Sequence, residues 1–189
     1  MHSKGVLHRN LCPEAVRFAI IDPTREPTDA GSQASLLRLT DFAFAVATAA
    51  GDKEGDRVDW LALPDFLTVA PEIVRGDESV AYGKPADVWA VGVMLFLMLT
   101  GTAPFDLGEA GGGTSSSNST KDKDKREGAR LQAMLQGRPL RWKDESAERW
   151  SEVSEDARKL VEQLLSTDPS MRPSAAEALA SPWFAAQDL

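Results

Sequence analysis

A chain of 189 residues is long enough for one domain with a sizeable buried core, and its 42% hydrophobic and 26% charged side chains exclude a protein that is disordered throughout or membrane-embedded. A net charge of −8 disfavours nucleic acid and anionic membrane surfaces and favours a protein partner or a basic peptide. The single cysteine, Cys12, excludes an internal disulfide, and with only 2 histidines in the chain it excludes a thiolate-based zinc site. The expected setting is therefore a reducing one, the cytoplasm.

The opening MHSKGVLHRN holds no apolar run of the kind a secretory signal needs. Residues 4–22 alternate short apolar runs with polar residues, and Pro13 interrupts any helix, which predicts a loop flanked by short strands. The segment PTREPTDAGSQAS at 23–35 reads as turn. LLRLTDFAFAV at 36–46 reads as a strand leading into a loop, and the charged, Gly-punctuated GDKEGDRVD at 51–59 reads as exposed. The most apolar stretch, Ala86 to Leu99, is shorter than the roughly 20 residues that span a bilayer and carries Asp87 near its start, so it is expected as a buried core helix over 86–100. Gly101 suits the left-handed residue that closes helices, and Pro104 follows soon after.

Residues 108–128 (GEAGGGTSSSNSTKDKDKREG) carry no sizeable apolar group to offset the entropy of ordering, and a disordered insert is expected there, with its KDKDKRE run a solvated linker or a docking segment. Helical periodicity resumes at 129–136. It returns at 155–166, where Ala157, Leu160, Val161, Leu164 and Leu165 share one face behind a Ser154 cap. A last helix starts at Ser174, with Glu177 placed for a capping box, before the apolar SPWF. The organisation read from this pass is a first half over 1–107, the insert over 108–128, and a helical second half over 129–189.

His8-Arg9-Asn10-Leu11-Cys12-Pro13-Glu14-Ala15 resembles the catalytic loop H-R-D-L-x-x-x-N of eukaryotic protein kinases. Further landmarks follow in register: Asp41-Phe42-Ala43 where D-F-G belongs, Ala70-Pro71-Glu72 where A-P-E belongs, then Asp87-Val88-Trp89-Ala90-Val91-Gly92 and Asp168-Pro169-Ser170-Met171-Arg172-Pro173. The closing stretch is most similar to the calcium/calmodulin-dependent and calcium-dependent Ser/Thr group. The resemblance implies a mainly α fold, a kinase-like C-terminal lobe with a few short β-strands near the N-terminus, and an absent N-terminal lobe, since no Gly-rich loop or strand lysine precedes His8. It also implies that the core helix 86–100 keeps an open apolar face.

In the family the loop aspartate orients the substrate hydroxyl and accepts its proton, a lysine faces the transferred phosphoryl group, and an asparagine ligates a second magnesium ion. Asn10, Cys12 and Ala15 stand at those positions, and an amide, a thiol and a methyl group cannot do that work. Asp41 is retained, so the cofactor expectation is none, or a residual Mg-ATP held weakly through Asp41. Ala43 replaces a freely turning glycine. By resemblance, Asp87 holds the catalytic loop through its backbone, Glu72 pairs with Arg172, and His8 and Arg9 complete the structural anchors. In active relatives Arg9 meets an activation-loop phosphate, for which Thr48, Asp52, Glu54 or Asp56 would stand in here.

Blander roles remain beside these. Asp87 also suits a helix N-terminus, Asp41 a solvated turn, Glu14 either a surface acid or a reader of basic substrate residues, and Cys12 an inert small side chain rather than a reactive thiol. The implied function is a catalytically impaired pseudokinase that serves as an interaction or regulatory module, with a weakly active fragment of a Ser/Thr kinase as the alternative.

Overall fold

The computed structural model describes residues 1–18, 37–48, 67–75, 83–104 and 144–185. The expected turn at 23–35, exposed run at 51–59, insert at 108–128 and helix at 129–136 lie outside these residues, as do Asp52, Glu54 and Asp56.

Two small antiparallel ribbons form the N-terminal part. Strand β1 (Val6–Leu7) pairs with β4 (Val46–Ala47), and β2 (Val16–Phe18) pairs with β3 (Leu37–Leu39), in the registers Leu7↔Val46 and Arg17↔Arg38. One strand of each ribbon comes from either side of residues 8–15, and its partner from either side of residues 40–45. The ribbons therefore clamp those two irregular segments face to face. The expected strand leading into a loop is present: β3 ends before Asp41, which adopts φ 61° and ψ 55°, and a short 3-10 turn at Phe42–Phe44 separates β3 from β4. A left-handed residue ends strand geometry, and Asp tolerates that region better than most side chains.

The helices are α1 (Pro71–Arg75), α2 (Lys84–Thr100), α3 (Asp144–Glu152), α4 (Glu155–Leu164), α5 (Ala175–Leu179) and α6 (Pro182–Ala185). Helix α2 begins two residues before the expected start because Pro85 fits the first turn, where no amide donor is needed. It ends as expected at Gly101, whose φ of 74° lets its N–H reach Leu97 O at 2.8 Å. The Arg149 guanidinium adds a 2.8 Å bond to Thr100 O, satisfying a carbonyl left over at the helix end.

One core joins both halves of the chain. Trp89, Val93 and Phe96 of α2 pack with Leu160, Val161 and Leu164 of α4 and with Trp150 of α3, and all of them are buried. Each such side chain contributes on the order of 1.5–3 kcal/mol by leaving water. The helices approach closely at Gly92, where a Cβ would lie 2.8 Å from Leu164 Cβ. Helix α4 shows the anticipated inward stripe of Ala157, Leu160, Val161 and Leu164, with Ser154 Oγ accepting from Ala157 N. The capping box at α5 is complete: Ser174 N donates to Glu177 Oε2 at 2.7 Å and Glu177 N to Ser174 Oγ at 3.2 Å. Away from the core, Val91 and Met98 of α2 are exposed.

Candidate functional site

The first turn of α2 directs Asp87 inward, where it is 1% exposed. Its Oδ2 accepts from His8 N at 2.8 Å, its Oδ1 accepts from Arg9 N at 2.9 Å, and His2 Nε2 lies 2.9 Å from Oδ2. Two consecutive backbone N–H groups on one carboxylate force the peptide to turn, and Arg9 sits at φ 67°. That conformation costs a non-glycine residue on the order of 1–2 kcal/mol, which the two charge-assisted bonds offset. Helix-end stabilisation alone would leave Asp87 facing solvent; here it anchors the loop. The contact of His2 with Asp87 is invisible in the sequence, because nothing marks a pairing across 85 positions.

His8 is fully buried. Its Nε2 lies 2.9 Å from Thr40 O, and Asn10 N points at Nδ1 from 3.4 Å. A carbonyl only accepts, so Nε2 carries the proton, and Nδ1 is left to accept from the amide. The ring also packs on Phe42, with centroids 4.8 Å apart. His8 thus tethers the segment at 40–42 to the loop at 8–15. Thr40 adds a second tie, donating to Ala15 O from N at 2.8 Å and from Oγ1 at 3.2 Å.

Within this frame Asn10 Nδ2 donates to Asp41 Oδ2 at 2.9 Å. The orientation of the amide follows from chemistry, because a carboxylate accepts and does not donate. Cys12 is buried at the start of the short turn Pro13–Ala15, and burial pushes its thiol pKa upward, which keeps it protonated and unreactive near neutral pH. Ala15 is fully buried and Glu14 is exposed. Thr48 is tied to the opening turn, its N and Oγ1 both donating to Gly5 O.

A second anchor lies apart from this cluster. Arg172 meets Glu72 of α1 in a two-pronged pair, Nη1 to Oε1 and Nη2 to Oε2, each 2.7 Å, with both side chains buried. Two further donors go to Pro85 O and Ser166 O, both at 2.8 Å, and the guanidinium stacks 4.9 Å from the centre of the Trp89 ring. Burial of this pair is tolerable because almost every donor is met, and the result is a fixed joint between α1, the start of α2 and the turn after α4.

The structure thus brings His8, Arg9, Asn10, Asp41 and Asp87 to one place, with Cys12 and Ala15 on the same loop. A magnesium ion requires near-octahedral oxygen coordination. This cluster presents one free-standing carboxylate, Asp41, with an oxygen already accepting from an amide, while Ala15 has no oxygen to offer from its side chain. Among the described residues no group of three or more His, Cys, Asp or Glu could hold a metal ion. The donor set does not fit a protein-held magnesium. Among the described residues, too, no helix is long and apolar enough to cross a membrane.

A family model described as "Protein kinase domain" matches residues 1–184. The chain is 29% identical over 186 residues to the calcium/calmodulin-dependent protein kinase type II subunit delta of Oryctolagus cuniculus, covering 97% of this chain and 27% of that protein. It is 32% identical over 183 residues to calcium-dependent protein kinase 15 of Oryza sativa subsp. japonica, covering 97% of this chain and 26% of the other, and 31% identical over the same length to calcium-dependent protein kinase 17 of Arabidopsis thaliana. Among solved structures, the Rad53 kinase domain with SCD2 superposes with a TM-score of 0.56 at 25% identity over 97% of this chain and 49% of that one. The same domain in complex with AMPPNP gives a TM-score of 0.57 over 52% of its chain. The chain therefore spans about a quarter of the length of these curated relatives and about half of the solved kinase chains. The expectation of a missing N-terminal lobe gains no support, since the match begins at residue 1 and each relative extends well beyond it.

Proposed function

The chain belongs to the protein kinase domain family, and from that premise we propose that it transfers phosphate poorly or not at all and that the protein serves as an interaction or regulatory module. The observation that carries this is Asn10. It occupies the family's proton-acceptor position and spends its amide hydrogens on Asp41 at 2.9 Å. An amide is no base near neutral pH, and losing a general base typically lowers a rate by about 10²–10⁴.

The flanking positions point the same way. Cys12 carries no positive charge toward a phosphoryl group, and Ala15 has no ligand oxygen, while the parts that hold the scaffold, Asp87 on the loop backbone and Glu72 on Arg172, are intact. A fold maintained without its chemistry suits recognition. The net charge of −8 favours a protein partner or a basic peptide, and the buried thiol of Cys12 suits a reducing, cytoplasmic setting.

The second reading is a fragment of a Ser/Thr kinase with weak ATP-dependent transfer, supported by the retained Asp41 and by the AMPPNP complex of the similar Rad53 domain. Phosphate transfer to a basic peptide separates the two. The unaltered protein is expected to be silent, and activity is expected to rise when Asn10→Asp, Cys12→Lys and Ala15→Asn are combined. Transfer by the unaltered protein at the rate of ordinary kinases would overturn the first reading. Thermal stabilisation by Mg-ATP that disappears in Asp41→Ala would support the second.

A further inference from the structure

Where a metal-dependent member of this family would set a cation beside the Asp41 carboxylate, this chain sets an amide. We infer that Asn10 is a positioning residue whose Nδ2–H takes the place of a divalent cation on Asp41, so that the turn at 40–44 is held against the loop at 8–15 without metal. The inference deepens the proposed loss of transfer and rests on the same cluster.

Three observations lead to it. Asp41 holds a left-handed conformation, φ 61° and ψ 55°, which is uncommon even for Asp and is favoured where a contact secures it. The residues on either side of it are secured by His8, through Thr40 O at 2.9 Å and through the Phe42 ring, but neither contact touches Asp41 itself. The Asn10 amide does, at 2.9 Å, from a side chain that is buried and attached to the loop that Asp87 fixes. A neutral donor satisfies a carboxylate oxygen at all times, whereas a cation satisfies it only when present. An aspartate at position 10 would instead set two carboxylates at hydrogen-bond distance, an arrangement that repels unless a cation or a proton lies between them.

The test uses the whole chain and two readouts that involve no phosphate transfer. Free Mn²⁺ is followed by electron paramagnetic resonance, and protection of the amides of residues 40–44 by hydrogen exchange, with and without Mn²⁺. In the unaltered protein, protection is expected to be the same at either Mn²⁺ level, and Asp41→Asn should leave the manganese titration unchanged. Asn10→Asp is expected to create a site at least about tenfold tighter, since affinity follows the charge count of the ligands, and Asp41→Asn in that background should abolish it. Asn10→Ala is expected to lower protection of residues 40–44 by about five- to tenfold, the worth of one hydrogen bond. Manganese binding by the unaltered protein that is lost in Asp41→Asn would overturn the inference, as would unchanged protection in Asn10→Ala. The titrations of the unaltered protein and of Asp41→Asn decide the matter even if a position-10 variant fails to fold. A protein that transferred phosphate yet kept metal-independent protection would refute the proposed function and leave this inference standing.

Discussion

Replacing Asp87 by asparagine is the sharpest probe of the scaffold, because the two side chains have one shape and differ in acceptor capacity. The carboxylate receives His8 N on Oδ2 and Arg9 N on Oδ1, at 2.8 and 2.9 Å, from a site 1% exposed. Asparagine has one oxygen. If that oxygen stays toward His8 and His2, its NH₂ group faces the Arg9 amide, donor against donor. Leaving one buried donor unmet costs about 1–3 kcal/mol, and downgrading the remaining bond from charge-assisted to neutral costs about 1 more. The expected loss is about 3 kcal/mol, which for a chain of this size lowers the melting temperature by roughly 6–12 °C. Arg9, at φ 67°, then has less to hold it in the left-handed region, so its amide and that of Asn10 should exchange faster. Urea denaturation gives the free energy, and hydrogen exchange read by residue gives the location. A loss under about 1 kcal/mol, with exchange at positions 8–10 unchanged, would refute the role assigned to Asp87.

Arg172→Met or Glu72→Gln alone is expected to cost about 3–5 kcal/mol, because each leaves a buried charge without its partner; a double-mutant cycle should return a coupling energy well above the error of the melts. Gly92→Ala improves helix propensity by about 1 kcal/mol, yet its Cβ would meet Leu164 Cβ at 2.8 Å and Leu165 Cδ2 at 2.9 Å. Overpacking at about 1–3 kcal/mol prevails, and the denaturation midpoint should fall. The Ser170 hydroxyl and amide hold Asp168 below the usual carboxylate range, and the Ser174 amide and hydroxyl do the same for Glu177. Groups depressed on folding contribute stability above their unfolded pKa, near 4, and lose it as pH falls through the folded value. Melts between neutral pH and strong acid should therefore fall less steeply in Asp168→Asn and Glu177→Gln than in the parent chain.

The local features of the fold are legible in the amino-acid sequence. The stripe of α4, the Ser154 and Ser174 caps, the Gly101 stop and the core character of α2 are set by side-chain periodicity and by which residues can meet an unsatisfied backbone group within a turn. The landmarks His8, Asp41, Glu72, Asp87 and Arg172 are legible as motifs, and so are the altered residues Asn10, Cys12 and Ala15. The left-handed turn at Asp41 inside the loop that follows β3 is not, because its carboxylate is held by a loop some thirty positions away.

What the amino-acid sequence determined by itself is which residue types stand at the motif positions: an amide at Asn10, a thiol at Cys12 and a methyl group at Ala15, whatever the fold does with them. Only the tertiary structure decided what those residues do. It turned the Asn10 amide onto Asp41, brought His2 to Asp87 across 85 positions and buried Cys12 at the start of the turn Pro13–Ala15. The reason is that a side chain's type is written in the chain, while its hydrogen-bond partner depends on which distant backbone the core brings within about 3 Å.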